Sequence, residues 1–515
     1  MTSKVIPYKQ TKHFLWFSSI SFGISFLLIG LWIWQTVTSR SDSIVFAALL
    51  ALLLLCLGIA LLIRLITRPN GDVFEIIVPL TGLFILHYPI RALFIMGWPH
   101  LARFPVNWPI NSDRYILQGV LISLVGFISF YLGYFWQGKV RLHKFIPKIP
   151  FHDKPPHFLW GKIIIVFSIG IFAFSQLFNS GAAMRFVWNP DQVNSVDSQL
   201  WVLLSAFRDY ALVLAWSSWG AGRKYKFLAV LFLGINIIIG IGIGSKNAIF
   251  VSLLAVLLSL NYALKVSRKR LFWLSAFGIT VFIFLFFPFV QNYRQTYLDI
   301  VGFQTTRKIS DLVEVADATS LSDTGNVAGG KYGQNNVVDV INRAVWFNAI
   351  VMIRWRVPSQ IDYQIGSTFY PLLIGWIPRA IWPNKPILSQ GAFMHNVIIG
   401  ASTQSNVGLT SIGDFYLNFG LLGVLIGMFL LGVIIRTIYL YGQSFTKSIM
   451  YLSLFYFMLY PQLLFSLQSS VATGLLGVVR IVMLAAVIIA FLSLGGRAKH
   501  TNLSSYTQLR KSQEA

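Results

Sequence analysis

The residues best suited to chemistry cluster late in the chain, in Gly366-Ser367-Thr368-Phe369-Tyr370, Ile377-Pro378-Arg379, Trp382-Pro383 and Lys385-Pro386. This apolar, aromatic segment surrounds an Arg and a Lys, a setting in which a solvated loop charge is unusual. The planar fork of Arg grips phosphate through paired hydrogen bonds and stays ionised. Arg379 therefore reads either as the partner of an anionic leaving group at a membrane surface or as an anchor that snorkels to headgroups. Lys385 is a second phosphate contact or a solvated loop charge.

Further cations fall near the same sequence level. Lys246, in Gly244-Ser245-Lys246-Asn247, occupies a tight turn with little else that is polar. It reads as a ligand of phosphate or sugar, or as an ordinary turn charge. Arg294 and Arg343 are substrate contacts or headgroup-binding charges. Arg208, beside Asp209, and Arg480 fall inside apolar stretches, where a charge is costly and rarely faces lipid. Each lines a polar cavity or meets a partner in the bundle, and an Arg208–Asp209 pairing is disfavoured because adjacent helical residues diverge by about 100°. Acids are scarce, with 17 Asp and Glu in all. Asp414, beside Phe415 and Tyr416, is the leading general base for an acceptor hydroxyl, or else it caps a helix N-terminus. His395 is a second base candidate, with simple exposure as the alternative.

The elements that must position these residues are apolar. Hydrophobic residues make up 56% of the chain and charged residues 11%. Stretches long enough to cross a bilayer, about 20 residues each, are expected at 14–36, 44–63, 74–90, 115–136, 159–177, 200–219, 227–243, 248–264, 271–290, 415–440, 451–467 and 471–494. The fold class is thus all-α and polytopic, with about 12 transmembrane helices. The first apolar stretch lacks a small-residue cleavage site and reads as a retained helix. Lys and Arg concentrate in alternate loops, such as Lys139 to Lys154, Arg223 to Lys226 and Lys265 to Arg270, which places those loops and both termini in the cytoplasm. Arg91, Arg103, Arg114 and Arg185 fall on the opposite face as exceptions. The net charge of +24 follows from this topology and from anionic inner-leaflet lipids, so no nucleic-acid partner is expected. A lone Cys56, no Cys/His cluster, no Asp-x-Asp pair and no phosphate-binding Gly-rich loop argue against a metal, a nucleotide or another cofactor.

The organisation expected is a membrane part over residues 1–290, a large extracytoplasmic loop over 291–411 between spans nine and ten, three more spans over 412–494, and a cytoplasmic tail over 495–515. An insertion of that size without a role is uncommon, since loops above about 15 residues generally carry function. Within it, 310–333 holds little that could pack, 336–353 has apolar residues near helical spacing after Asn335 and Asn336 and reads as an amphipathic helix, and 368–382 is broken by Pro371 and Pro378. The last should lie at the interface or dip into the protein.

The run Gly366-Ser-Thr-Phe-Tyr, Ile377-Pro-Arg, Trp382-Pro-Asn-Lys-Pro and Gly413-Asp-Phe-Tyr-Leu-Asn-Phe-Gly resembles the O-antigen polymerases of the Wzy type, as does the many-helix plan with one large external loop. In motif the resemblance rests on residues 366–420. Asp414 stands where that family tends to carry Glu, which keeps the acid and shortens its reach. The resemblance implies a multi-pass protein of the cytoplasmic (inner) membrane that joins undecaprenyl diphosphate-linked oligosaccharide units on the outer face. Its partners would be a lipid-linked donor and acceptor, membrane lipids and a chain-length regulator. A lipid-linked oligosaccharide flippase and an O-antigen ligase are the rival readings. A flippase should show related halves with intramembrane polar sites, whereas here the distinctive polarity collects in one insertion.

Overall fold

The structure, a computed structural model, describes residues 42–68, 72–105, 107–109, 112–136, 160–180, 196–262, 264, 266–300, 315, 319, 336–377, 381–382, 385, 390–401, 408–443 and 459–493. The expected first span, the 310–333 stretch apart from Val315 and Thr319, and the tail lie outside these residues. Every regular element among the described residues is helical. The long helices are α1 (Asp42–Ile66), α2 (Ile77–Gly97), α3 (Ser112–Trp136), α4 (Trp160–Asn179), α5 (Val196–Ser217), α6 (Arg223–Gly242) and α7 (Lys246–Tyr262). They continue with α8, which runs through Arg268–Val281, a π turn at Phe282–Phe286, and Phe287–Ile300. The insertion contributes α9 (Asn336–Arg343), α10 (Trp346–Arg356) and the short α11 (Tyr370–Ile374). Then come α12 (Gln390–Phe393, continued by a π turn at Met394–Ile399), α13 (Ser411–Gln443), α14 (Tyr460–Ser466) and α15 (Val471–Ser493).

Among the described residues, 9 helices are long and apolar enough to cross a membrane, and α7 is a shorter apolar helix. The molecule is thus an all-helical polytopic membrane protein. These helices pack through glycines, as expected where lipid gives no hydrophobic drive and close backbone approach must supply the attraction. A Cβ on Gly133 of α3 would lie 1.9 Å from the Phe429 carbonyl oxygen of α13, and one on Gly170 of α4 would lie 2.2 Å from the Arg208 backbone nitrogen of α5. In contrast, α8 turns much of its surface outward: Phe277 is 68% exposed, and Phe272, Trp273 and Phe284 are exposed too.

Two expectations about the insertion change. The helix expected over 336–353 is two helices, α9 and α10, separated at Ala344 and Val345. The second is no surface element, because Trp346 through Ile353 are all buried. It is wedged where Gly119 of α3 and Gly413 of α13 leave room, so its apolar residues on every side find protein. The ninth span also runs further than Val290, with α8 continuing to Ile300.

One side chain fastens the insertion to the membrane helices. Arg91, near the end of α2, is fully buried. Its Nε donates to Asn348 Oδ1 (3.0 Å), Nη1 to Asn342 Oδ1 (2.8 Å) and the Ile341 carbonyl (3.5 Å), and Nη2 to the Arg103 carbonyl (2.6 Å). Arg103 in turn pairs with Asp339 at 3.0 Å. Two of the exceptions to the basic-loop pattern are therefore internal structural contacts.

Acids serve the opposite end of the bundle. Glu75 accepts from Arg436 Nη1 (2.5 Å) and Tyr134 (2.9 Å), while Asp72 accepts from Asn261 (3.0 Å), Tyr439 (3.1 Å) and Tyr262. These bonds join the segment before α2 to α3, α7 and α13.

The glycine crossings give a direct expectation. Gly133→Ala should destabilise the detergent-solubilised protein by about 1–3 kcal/mol, the usual cost of overpacking. Gly161→Ala, where nothing lies within 4 Å of the new methyl, should melt like the parent. Equal melting of the two variants would remove α3–α13 contact as a source of stability.

Candidate functional site

The Gly366-Ser-Thr-Phe-Tyr motif is stitched to α13, and the sequence explains how. The helix breaks at Phe419 and Gly420, the latter at φ 62°, a left-handed conformation that glycine adopts without strain. The break frees carbonyls upstream, and Gln364 N–H takes that of Leu417 (3.0 Å). Asn418, at the break, accepts from Gly366 N–H (2.7 Å) and donates to Thr368 Oγ1 (2.6 Å).

Asp414 lies one turn earlier, and none of it is exposed. Its Oδ1 accepts from Thr368 Oγ1 (2.5 Å) and Asn418 Nδ2 (3.2 Å), and its Oδ2 from Val471 N–H (2.8 Å). Val471 opens α15, so the carboxylate caps a helix, though a different one from its own; α13 is capped by Thr410, whose Oγ1 accepts from Gly413 N–H (3.0 Å). One buried acid thus ties the motif, α13 and α15 together. The bond from Asn418 could have been read from the i, i+4 spacing, whereas the bond to Val471 crosses 57 residues and carries no local signal.

After α11 the chain turns alongside α15, where a Cβ on Gly375 would meet Leu476. Lys385 is buried, 8% exposed, and donates to the carbonyls of Gly375 and Ile377, each at 3.0 Å. The solvated-charge alternative for Lys385 is thereby removed. Arg480 Nη2 reaches the same Gly375 carbonyl at 3.4 Å. Nine residues of helix place Arg480 about 13 Å along α15 from Val471, so the segment runs down beside the helix, with Leu373 and Trp376 exposed. Pro371 falls in the first turn of α11, where its missing N–H costs nothing. Arg379 lies outside the described residues.

A second group forms where the turn before α7 meets α8 and α9. Lys246 Nζ donates to Gln291 Oε1 at 2.8 Å and lies 3.5 Å from the centroid of the Phe287 ring. Arg343 Nη2 donates to the same Gln291 oxygen at 2.8 Å, and Arg294 Nε donates to the Gly244 carbonyl. Arg294 and Arg343 are close enough for their charges to act on Lys246, and the acid that also acts on it, Asp339, is bound by Arg103. The structure therefore brings together three cations chosen separately from the sequence. Gln291 was not among the candidates, although it is the first polar residue after the apolar run of α8.

The remaining candidates stand apart. His395 is buried in the π turn after α12, 8% exposed, and not on an exposed loop. Arg208 does meet Asp209, contrary to expectation, through one bond of 3.4 Å, and its guanidinium also stacks over Phe174. Burial leaves Arg208 little choice of acceptor, and its Nη1 makes no hydrogen bond among the described residues. No group of three or more potential metal ligands occurs among the described residues.

A family model described as a domain of unknown function, DUF8712, matches residues 161–490. The chain belongs to this family. No curated protein and no solved structure matches. The DUF8712 region holds both cation groups and the Asp414 hub, while Arg91, which fixes α9 and α10, lies before it.

The hub should behave as one unit. Asp414→Asn cannot accept at both oxygen positions, and Thr368→Val removes one donor; each should cost about 1–3 kcal/mol of stability. Melting of the double variant should show less than the summed loss, because the sites share partners. Full additivity would mean that the bonds are independent.

Proposed function

We propose that this protein is a membrane glycosyltransferase that polymerises oligosaccharide repeat units carried on undecaprenyl diphosphate. The reading is supported most by the gathering of Lys246, Arg294 and Arg343, basic side chains that meet at the Gln291 amide oxygen and the Gly244 carbonyl. In this reaction the bond from the sugar to the lipid diphosphate breaks, a bond from the sugar to the acceptor hydroxyl oxygen forms, the hydroxyl proton is released to water, and the lipid diphosphate leaves with the negative charge. Positioned cations lower the barrier by meeting that charge. Arg480, beside the Gly375 carbonyl, would add to the positive surface, and Arg379 would contribute a further phosphate contact on the strength of its sequence context alone. Asp414, with both oxygens already accepting, serves in this reading by holding the segment in place.

The site would face the outer side of the cytoplasmic membrane, with both termini inside. A lipid-linked donor and acceptor would enter laterally from the membrane, and a chain-length regulator would act on the product. A ligase would use the same donor chemistry with a different acceptor, so products and not cations separate the two.

Purified protein reconstituted with lipid-linked repeat units should yield a ladder of polymer. Lys246→Ala and Arg343→Ala should each lower turnover by about 100-fold, in the range for losing a group that stabilises developing charge. Arg379→Glu should abolish the ladder while the protein remains inserted. No ladder from the folded parent protein would overturn this function, and normal ladders from all three variants would overturn the role given to these cations.

The topology has its own test in a Cys56→Ser background. An impermeant thiol reagent should label Thr324→Cys in whole cells and leave Ser504→Cys unlabelled. The reverse pattern would put the cations on the wrong side for an externally presented donor.

A further inference from the structure

The atom at the centre of the cation group is neutral. Gln291 Oε1 accepts from both Lys246 and Arg343, each at 2.8 Å. An amide oxygen satisfies the geometry of such donors, but with only partial charge it does not neutralise a cation, and burial with the two arginines pushes the Lys246 amine down to about 6 until an anion arrives. Arg294, one turn further along α8, donates to the Gly244 carbonyl, again a neutral acceptor. Phe287, one turn before Gln291, forms an aromatic wall beside Lys246. The bound oxygen therefore has the directional contacts of an anionic oxygen without its charge.

We propose that Gln291 is a stand-in for a diphosphate oxygen: its amide holds Lys246 and Arg343 in register while the site is empty, and a diphosphate displaces it. This rests on reading the group as an anion site and adds the residue that keeps it open and sets its charge selectivity. The stand-in reduces the cost of assembling like charges, since cations otherwise repelling one another share an acceptor. It is also displaceable, because a phosphate oxygen adds the attraction of opposite full charges that an amide oxygen lacks. Cations from α7, α8 and α9 together suit a polyanion better than a single negative charge.

The test uses the full-length protein in detergent, titrated separately with inorganic pyrophosphate and a short prenyl diphosphate, with binding followed by thermophoresis. Gln291→Glu places a permanent carboxylate between Lys246 and Arg343 and should weaken binding of either probe tenfold or more. Gln291→Met, of similar length with no acceptor, should bind as well as the parent or several-fold tighter, because nothing has to be displaced. Melting curves establish that each variant is folded, and the Met variant is informative even if the Glu variant is not. Weakening by Met as large as that by Glu, or unchanged binding in Glu, would overturn the stand-in. In that event loss of binding in Lys246→Ala would still leave the anion site standing. Indifference of both probes to Lys246→Ala and Arg343→Ala would instead remove the site itself. Binding of pyrophosphate alone indicates that the phosphates suffice, and binding of only the prenyl probe assigns the site to a lipid-borne diphosphate; the order of the Gln291 variants decides the proposal in both cases.

Discussion

The burial of Arg91 is the constraint on which the insertion depends. A guanidinium removed from water must be met by acceptors at nearly every donor, or the desolvation cost of several kcal/mol goes uncompensated. Asn348, Asn342 and the carbonyls of Ile341 and Arg103 meet that need, and all come from the insertion or from the loop after α2. The charge therefore fixes α9 and α10 on the membrane helices. Arg343 is the residue after Asn342, so its approach to Gln291 follows from a bond made by its neighbour. The buried face of α10 then adds the apolar packing that a polar contact alone would not supply.

Asp414 works on the same principle with the opposite sign. A break in α13 at Gly420 exposes backbone that the 364–368 strand of chain can use, and the carboxylate beside it collects donors from that chain and from α15. Fixing the N-terminus of α15 also fixes where Arg480 stands along it. Since Arg480 and Lys385 share the Gly375 carbonyl, the descending segment is held at its start by an acid and lower down by cations.

Much of this was legible in the residues. Apolar stretches locate most of the described long helices because the bilayer demands length and uniform hydrophobicity, although α2 and α8 run on past the expected ends at 90 and 290. The polar residues that stand out against that background, Lys246, Arg294 and Arg343, do meet. What could not be read was the set of partners that belong to a different part of the chain. Gln291 looked like the end of a span, and Arg91 looked like an orientation exception. Periodicity in 336–353 suggested one amphipathic helix, whereas the second half is buried on every side and has no polar face to mark it in so short a stretch. The expectation that Arg208 would not pair with Asp209 failed for a similar reason: helical geometry disfavours neighbours, but a buried guanidinium with few alternatives reaches for a poor partner.

The two ends of the bundle treat charge differently, and that contrast bears on function. Away from the insertion, Arg436 is met by Glu75 at 2.5 Å and the tyrosines around it complete the network, which is the arrangement expected of a charge retained for structure. At the insertion, Asp339 is spent on Arg103, while Lys246, Arg343, Arg294, Lys385 and Arg480 donate to amide and carbonyl oxygens. Neutral acceptors satisfy the direction of a donor without neutralising its charge. On the proposed reading the neutralising oxygens at this end belong to the diphosphate of the substrate, whereas at the other end the protein itself supplies them as Glu75.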